Sequence, residues 1–250
     1  MITRPRLVVA LLALLVGAYV HAQFGDQPAK LSIEKLRDDI FVIRNPFVPG
    51  NTTAMVTNEG VVLVDDKFDI DHANILAQLK TVTNQPVKYV INTHHHSDHS
   101  GSNAKMQAMG AQVVASQQAR DHMVDGNQPG LPNVTFNGKA NLFLGGKRVE
   151  LYQFGRAHTS GDAVVLFPAQ RVLAAGDMFS VGADTPQLVD YPGGGSAKEW
   201  PATVDGVLRL DFDTVVPGHG TVADKAAMRA FRGTAERLKN RVHEMIVKKA

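Results

Sequence analysis

Short apolar runs separated by turn residues open the first half of the chain. Residues 40–43, 53–57 and 61–64 form three such runs, broken by Pro, Gly and Asn, which is typical of antiparallel strands in a meander. Residues 69–84 then keep apolar side chains at helical spacing, and residues 87–93 return to a strand pattern. The order strand, helix, strand predicts a βαβ unit.

The pattern weakens after residue 100. Residues 101–110 indicate a short helix that ends at Gly110, and residues 111–116 form an apolar run typical of a strand. Residues 120–141 are rich in Gly, Pro and Asn and show little periodicity. They are predicted to form a loop with one helical turn, at the midpoint of the fold.

The second half repeats the strand-rich pattern. Apolar runs predict strands over 147–155, 162–169, 171–177 and 212–220, and a Gly-rich stretch predicts a long loop over 182–196. A helix is predicted over 197–210, with an interruption near Pro201. Two halves that each combine strands with following helices predict an α+β fold, in which two sheets pack together with helices outside.

Residues 223–248 carry the pattern of a C-terminal helix. Its apolar side chains recur at spacings of three and four: Met228, Phe231, Ala235, Leu238, Val242 and Met245. Such a stripe is expected to pack on a sheet. The basic excess of this helix is interpreted as a solvated outer face, because cations are favoured near a helix C-terminus.

The first residues of the chain have the pattern of a secretory signal peptide. Arg4 and Arg6 precede an apolar stretch, and Val20-His21-Ala22 offers a cleavage site before Gln23. A single-span anchor is the alternative, but the apolar run of about 14 residues is shorter than the roughly 20 that a bilayer requires. We therefore expect residues 1–22 to be removed, and residues 23–250 to form one periplasmic or secreted domain without stable membrane insertion.

Composition narrows the classes of function. The chain has 26 cationic and 24 acidic side chains, and removal of Arg4 and Arg6 with the signal peptide makes the two numbers equal. The net charge therefore gives no reason to expect a nucleic-acid partner. The chain contains no cysteine, which excludes disulfides, a cysteine nucleophile and thiolate metal ligands. That composition suits an oxidising compartment such as a periplasm.

Four histidines and an aspartate lie within six positions in the stretch NTHHHSDHSG, at the end of the predicted strand 87–93. His94 and His96 are two positions apart, so on a strand their side chains would point to one side. Asp98 and His99 follow in the turn before the next helix. Imidazole and carboxylate ligands without sulfur suit zinc, iron or manganese. The stretch predicts a metal site at the C-terminal edge of a sheet.

The H-x-H-x-D-H stretch at 94–99 and the later motifs AHTSGD, AAGD and PGHG resemble the metal-binding landmarks of the metallo-β-lactamase superfamily. They occur in the family's order, and the resemblance covers nearly all of the mature chain. The resemblance implies a four-layer αβ/βα sandwich with two zinc ions at one edge, iron or manganese being alternatives. It also implies a ligand set: His94, His96 and His158 for the first metal, Asp98, His99 and His219 for the second, and Asp177 as the bridge.

Further site residues follow from the same resemblance. Asp65, at the end of the strand 61–64, matches a family position that supports a histidine ligand, and Asp66 is the competing candidate. Two loops are expected to frame a substrate pocket, 45–53 with Phe47 and 180–195 with Tyr191. The remaining histidines are expected to be structural or exposed: His72, His95, His122 and His243.

The resemblance implies hydrolysis of a small molecule by a hydroxide held between two metals, with Asp98 orienting it or passing a proton to the leaving group. The expected substrates carry a strained or activated acyl bond: a lactone, an ester, a thioester or a β-lactam. Asp177 stands where the best-known zinc β-lactamases have a cysteine, and GDMFSVGADTP contains no lysine to bind a substrate carboxylate. Both departures count against strong β-lactamase activity.

Two other functions stay open at this point. Persulfide dioxygenases of the same superfamily use one iron, held by two histidines and an aspartate, and a non-catalytic periplasmic metal binder would need only a tight site. The second set of ligands argues against the dioxygenase, and the completeness of both sets argues against the metal binder. The sequence names neither the substrate nor the oligomeric state.

Overall fold

The computed structural model describes residues 27–46, 48–181 and 188–248. The predicted signal peptide, Phe47 and part of the 180–195 loop lie outside these residues. Within them, two mixed β-sheets pack face to face with helices on both outer faces, which confirms the predicted α+β sandwich.

The first sheet has seven strands that are neighbours in chain order. They are β1 (Ser32–Lys35), β2 (Ile40–Arg44), β3 (Thr52–Val56), β4 (Val61–Val64), β5 (Val87–Ile91), β6 (Gln112–Ser116) and β7 (Val134–Phe136). Strands β1 to β4 form an antiparallel meander, and β4 to β7 are parallel. Helix α1 (His72–Lys80) connects β4 to β5, so the predicted βαβ unit is confirmed.

The second sheet has six strands in the order β13-β12-β11-β10-β9-β8. They are β8 (Lys139–Leu144), β9 (Lys147–Tyr152), β10 (Val164–Phe167), β11 (Val172–Gly176), β12 (Thr214–Pro217) and β13 (Ala223–Asp224). Strands β11 and β12 are parallel, and the other neighbours are antiparallel.

The remaining helices are short, except for the last one. They are α2 (Ser97–Ser100), α3 (Asn103–Ala108), α4 (Gln117–Asp125), α5 (Trp200–Val207) and α6 (Lys225–Val247), and a 3-10 turn (Asp69–Asp71) precedes α1. Side chains of α1 and α3 pack on the outer face of the first sheet, and those of α5 and α6 on the outer face of the second. The layers are therefore helix, sheet, sheet, helix.

Alternate residues of the central strands face different layers. In β4, Val62 and Val64 lie in the core between the sheets, whereas Leu63 faces the outer helices. In β10, Val165 lies between the sheets and Val164 faces α5 and α6. Because both faces of these strands are buried, the sequence shows continuous apolar runs there instead of an alternation of apolar and polar residues.

The prediction of a loop over 120–141 is wrong, because this segment contains most of α4, all of β7 and the start of β8. Helix α4 is mostly polar and buries only Ala119 and Met123, so its apolar periodicity is weak. It begins after Ser116, whose hydroxyl accepts a hydrogen bond from the backbone N–H of Ala119. Strands β7 and β8 lie at the edges of their sheets, where exposed polar residues are tolerated.

The predicted interruption at Pro201 is also wrong. Helix α5 starts at Trp200, so Pro201 occupies its first turn. A backbone N–H has no partner within the helix at that position, and proline is therefore favourable there.

The C-terminal helix is confirmed, but its apolar stripe packs over only the first half. Met228 and Ala235 are buried, whereas Leu238 is 54% exposed and Val242 and Met245 are each 49% exposed. Helix α6 contacts α5, β12 and β13, and its last turns are exposed on all sides. In the described parts of the chain, every helix is too short or too polar to cross a bilayer.

Candidate metal centre

The predicted metal ligands lie at one edge of the sandwich, beyond the ends of strands from both sheets. The stretch 94–99 follows β5 of the first sheet, and Asp177 and His219 follow β11 and β12 of the second. His158 lies in the connection between β9 and β10. One centre therefore joins residues from both halves of the chain.

The local structure of the 94–99 stretch differs from the prediction. Strand β5 ends at Ile91, so the alternation of a strand does not place His94 and His96. Helix α2 begins directly after His96, whose carbonyl accepts hydrogen bonds from the N–H groups of His99 and Ser100 at 3.0 Å each. This single helical turn, and not a continued strand, brings the side chains of the stretch together.

One cluster of nitrogen ligands consists of His94, His96 and His158. Their candidate ligand atoms all lie within 4.8 Å of one another. Nε2 of His158 is 3.0 Å from Nδ1 of His96, and the rings of His94 and His158 are perpendicular, with centroids 5.0 Å apart. His94 and His158 are buried, so the cluster faces inward from the sheet edge.

A second cluster consists of Asp98, His99 and His219, again with ligand atoms within 4.8 Å. Nε2 of His219 lies 3.2 Å from Oδ2 of Asp98 and 3.3 Å from Nε2 of His99. The His99 side chain is completely buried. One carboxylate and two imidazoles form a mixed oxygen and nitrogen set that suits a divalent transition metal.

The carboxylate of Asp177 lies between the two clusters. Its Oδ1 is 3.3 Å from Nε2 of His99 and 3.4 Å from Nε2 of His219, while its Oδ2 is 3.5 Å from Nε2 of His158. Gly218 allows this approach, because a Cβ atom there would lie 1.9 Å from Oδ1 of Asp177. Each oxygen of one carboxylate thus faces a different set of ligands.

Four of the histidines donate a hydrogen bond from the outer ring nitrogen, the one that faces away from the clusters. The acceptors are Thr93 Oγ1 for His94 (3.1 Å), Asp190 Oδ2 for His96 (2.9 Å), Asp65 Oδ2 for His99 (2.8 Å) and the Leu188 carbonyl for His158 (2.8 Å). Histidines that bind metals in proteins have such an acceptor behind them, which fixes the tautomer and the ring orientation. The inner nitrogen of each ring is left to bind a metal.

A further observation indicates that the side chains of the first cluster can bind a metal. Nε2 of His94 is completely buried and has no hydrogen-bond partner among the described residues. A buried polar atom without a partner costs free energy, on the order of 1–3 kcal/mol. A metal ion bound between His94, His96 and His158 would satisfy this nitrogen, which makes the first cluster a credible ligand set.

Burial and charge give the two clusters different protonation states. Burial lowers the pKa of His94 well below its usual value and also lowers the pKa of His96. The rings of His94 and His96 are therefore neutral at pH 7, the form that binds a metal.

The carboxylates reverse this effect at the second cluster. Burial opposes the charged form of both imidazoles, but Asp98 and Asp177 outweigh it: they raise the pKa of His99 well above its usual value and that of His219 to about 10. The pKa of Asp98 and of Asp177 is lowered despite burial, chiefly by His99. Without a metal, the second cluster holds protonated imidazoles next to ionised carboxylates.

Asp65 lies where a supporting residue should be. Its Oδ1 accepts the N–H of Thr93 at 2.7 Å, and its Oδ2 accepts both the Thr93 hydroxyl (2.8 Å) and Nδ1–H of His99 (2.8 Å). The competing candidate, Asp66, instead accepts the N–H of Ser102 at 3.2 Å. The side chain that contacts a candidate ligand is therefore that of Asp65.

Sequence reasoning missed Asp190, which accepts the hydrogen bond from His96. The one available signal was that Asp190 is an acidic residue within 180–195, a loop that was expected to frame the pocket. Tyr191, the residue predicted in that loop, is 67% exposed, and its side chain is not part of the cavity beside the centre. Phe47 lies outside the described residues.

A cavity of about 550 Å³ opens beside the centre. Its lining combines candidate ligands with residues of the α4 region and the 190–193 loop: Phe68, His95, His96, Ser97, Asp98, His122, Gly126, Gln128, Asp190, Pro192 and Gly193. His95 and His122, which were expected to be structural or exposed, have ring centroids 4.7 Å apart in this lining. The centre is therefore accessible to a small molecule.

The chain is similar in sequence to proteins of one known family. The sequence profile of the metallo-beta-lactamase superfamily matches residues 45–219. A metallo-beta-lactamase type 2 of Elizabethkingia meningoseptica is 26% identical over 227 residues, which covers 87% of this chain and 90% of that protein. A metallo-beta-lactamase type 2 of Bacillus cereus is 26% identical over 223 residues, covering 83% of this chain and 84% of that protein.

Solved structures agree on the fold. A metallo-beta-lactamase from Pontibacter korlensis superposes with a TM-score of 0.74 at 24% identity, over 83% of this chain and 99% of that one. The DIM-1 metallo-beta-lactamase gives a TM-score of 0.73 at 19% identity, over 84% of this chain and 98% of that one. At these identities the likeness is evidence for the fold alone.

Proposed function

This chain belongs to the metallo-beta-lactamase superfamily, and from that premise we propose that it is an exported hydrolase that cleaves an activated acyl bond in a small molecule with the help of two zinc ions. Its class, a metal-dependent hydrolase, follows from the family and from the relatives. The export, the identity and number of the ions, and the substrate bond are the parts that need testing.

The proposal that the centre binds two ions rests on the position of Asp177. One of its oxygens lies within 3.4 Å of both histidines of the second cluster, and the other lies 3.5 Å from His158 of the first. A carboxylate between two ligand sets is the arrangement expected of a dinuclear centre with a shared carboxylate ligand. A mononuclear centre would leave the second set of buried ligands unexplained.

The proposed assignment uses all seven predicted ligands: His94, His96 and His158 would hold the first ion, Asp98, His99 and His219 would hold the second, and Asp177 would be shared. Two divalent ions at such a centre lower the pKa of water from 15.7 towards about 7 and polarise a substrate carbonyl. The outer acceptors behind His94, His96, His99 and His158 hold the rings in the orientation that this chemistry needs.

Asp98 is the proposed catalytic residue. It lines the cavity and also belongs to the second ligand set, so a substrate in the cavity would lie next to its carboxylate. Its lowered pKa keeps it ionised at neutral pH. In that form its carboxylate can orient the attacking water, accept its proton and pass the proton to the leaving group.

We propose a cyclic acyl bond as the substrate, either a β-lactam or a lactone. The names of the relatives favour a β-lactam. The aspartate at 177, in the place of a cysteine ligand, and the absence of lysine from GDMFSVGADTP favour a lactone. Hydrolysis rates on a chromogenic cephalosporin, a γ-lactone, an aryl ester and a thioester would rank the four bond types directly.

Export rests on the pattern of residues 1–22, with residues 23–250 proposed as the single catalytic domain. The expected location is the periplasm or the medium. N-terminal sequencing of the protein made from the full gene, recovered from the periplasmic fraction, should begin at Gln23. An intact N-terminus in the membrane fraction would indicate an anchor.

The experiment that tests the centre is elemental analysis of residues 23–250, purified without chelators. Two zinc ions per chain, with hydrolysis that stops on their removal and returns on their addition, are expected. One iron per chain with no hydrolysis would favour a dioxygenase, and retained zinc without turnover of any acyl bond would favour a metal binder.

A further inference from the structure

Two adjacent residues, Gly50 and Asn51, connect the turns that carry the second set of ligands. The N–H of Gly50 donates to the carbonyl of Asp98 at 3.2 Å, and the N–H of Asn51 donates to the carbonyl of Gly218 at 2.7 Å. The Asn51 amide also donates from Nδ2 to the carbonyls on either side of this position, Pro217 (2.9 Å) and Gly220 (3.0 Å). We call this pair the Gly50–Asn51 clamp, because it holds the Asp98 turn and the His219 turn at once.

The clamp lies directly against a ligand ring. A Cβ atom on Gly50 would be 2.3 Å from Cε1 of His99 and 2.6 Å from its Nε2, so no larger residue fits there without displacing the ring. A small shift of the clamp therefore changes the position of His99, Asp98 and His219 relative to one another.

A buried lysine holds the clamp from the inside. The ammonium of Lys67 donates a hydrogen bond to the carbonyl of Gly50, and the carbonyl of Lys67 accepts the N–H of Gly101 at 2.8 Å, at the end of α2. Lys67 is 0% exposed and has a φ angle of 61°. A buried cation and a left-handed backbone are both costly for a lysine, and apolar packing alone would be better served by methionine.

The surroundings of Lys67 make its charge tolerable. Burial lowers its pKa to about 7, while the carboxylates of Asp71, Asp65, Asp98 and Asp66 act in the opposite direction. The lysine thus lies among acidic side chains on the inner side of the second ligand set. Whether charged or neutral, its nitrogen can donate to the carbonyl of Gly50.

We propose that Lys67 is a positioning residue for the second metal: through the Gly50–Asn51 clamp it holds the Asp98 and His219 turns at the spacing that the ion needs. This inference rests on the proposed dinuclear centre. It is selective, because the first set of ligands is oriented by other contacts: His94 by Thr93, His96 by Asp190 and His158 by the Leu188 carbonyl.

Charge alone predicts the opposite effect. A cation near the second ligand set repels a divalent ion, so its removal would tighten binding of that ion. Positioning predicts weaker binding instead. The sign of the change in affinity therefore decides between the two roles.

The test compares zinc affinities, measured by competition with a chromophoric chelator, in four variants of the 23–250 protein. Lys67→Met removes the donor and keeps the length of the side chain, Lys67→Gln keeps an N–H donor, and Asn51→Ala releases the other end of the clamp. Lys105→Met is the matched control, since that lysine is exposed and pairs with Asp69. Thermal melting of the chelated proteins reports on folding separately.

We expect Lys67→Met and Asn51→Ala to bind the second zinc about 10- to 100-fold more weakly, as changes behind metal ligands typically do, with the first zinc unaffected. Lys67→Gln should lose less, and Lys105→Met should match the wild type. Added zinc should restore occupancy of the second site in the weakened variants, which an unfolded protein would not show.

Unchanged or tighter binding of the second zinc in Lys67→Met overturns the role of Lys67, while a wild type that binds two ions leaves the proposed function intact. Should Lys67→Met fail to fold, unchanged second-site affinity in both Lys67→Gln and Asn51→Ala overturns it equally. Wild-type protein that takes up only one ion at any zinc concentration overturns the dinuclear centre and the role of Lys67 together.

Discussion

The carboxylate of Asp190 accepts a hydrogen bond from Nε2–H of His96 at 2.9 Å, which leaves Nδ1 of the same ring facing His158. The loop that carries Asp190 thus contacts the centre from outside the two proposed ligand sets. Orientation of a ligand ring by an outer carboxylate affects both metal affinity and reactivity.

Asp190→Asn should weaken binding of the first zinc by about 10- to 100-fold. The amide keeps the size of the side chain and can still accept the N–H of Gly193, but it provides no negative charge behind His96. Chelator competition would measure the change, with Asp121→Asn on the exposed face of α4 as the control. Equal first-site affinity in the two variants would show that Asp190 only shapes its loop.

Asp177→Ala should reduce binding of the second zinc and the rate of hydrolysis together. The substitution removes the oxygen that lies 3.3 Å and 3.4 Å from the two histidines of the second cluster. Metal content by elemental analysis and turnover of the preferred acyl substrate are the two readouts. Full metal content with unchanged turnover would remove Asp177 from the bridge.

Binding of the second zinc should release protons and should weaken as the pH falls. His99 and His219 are protonated in the metal-free protein, because Asp98 and Asp177 raise their pKa values, that of His219 to about 10. Below that pH the ion has to displace these protons, so the apparent affinity drops about tenfold per pH unit for each proton displaced. The lowered pKa of His94 and of His96 makes the first zinc much less sensitive to pH near neutrality.

Calorimetry in two buffers of different ionisation enthalpy, at pH 8, would count these protons. About two per chain are expected for the second zinc, from two imidazoles. Heats that do not depend on the buffer would contradict the protonation state described for His99 and His219.

The two halves of α6 should respond differently to truncation of their apolar side chains. Met228→Ala should lower the free energy of unfolding by about 2–5 kcal/mol, because this side chain is completely buried. Leu238→Ala should change it by no more than about 0.5 kcal/mol, because Leu238 is largely exposed. Urea denaturation of the chelated protein would measure both, and equal losses would mean that the second half of α6 is packed in solution.

Local spacing and apolar runs were sufficient to predict the inner strands of both sheets and to place the 94–99 stretch at the end of β5, but they did not predict the edge strands β7 and β8. They were not sufficient for α4, because a surface helix that buries only Ala119 and Met123 has almost no apolar period. Helix α6 differs from the prediction in the opposite direction. Its apolar spacing continues to Met245, but the surface on which the helix packs ends earlier. Periodicity reports what a helix could bury, and the neighbouring elements decide what it does bury.

The candidate site, like the fold, was predictable from the sequence only in part. His158, Asp177 and His219 are isolated residues in the sequence, and only the resemblance to a family joined them to the 94–99 stretch. Asp190 and Lys67 had no such support. An aspartate in a glycine-rich loop and a lysine after two aspartates have the local pattern of surface residues, and their contacts at the centre depend on long-range packing that no local pattern encodes.

The ligands come from both sheets, and two that are in contact, His99 and His219, are 120 positions apart in the chain. Metal ions at this centre would therefore act as cross-links between the N-terminal and C-terminal halves, stabilising the folded chain according to how much zinc its surroundings supply. In a zinc-poor medium the protein would open more often and be degraded by proteases sooner. The lifetime of the protein, as well as its rate of turnover, would then depend on how much zinc is available.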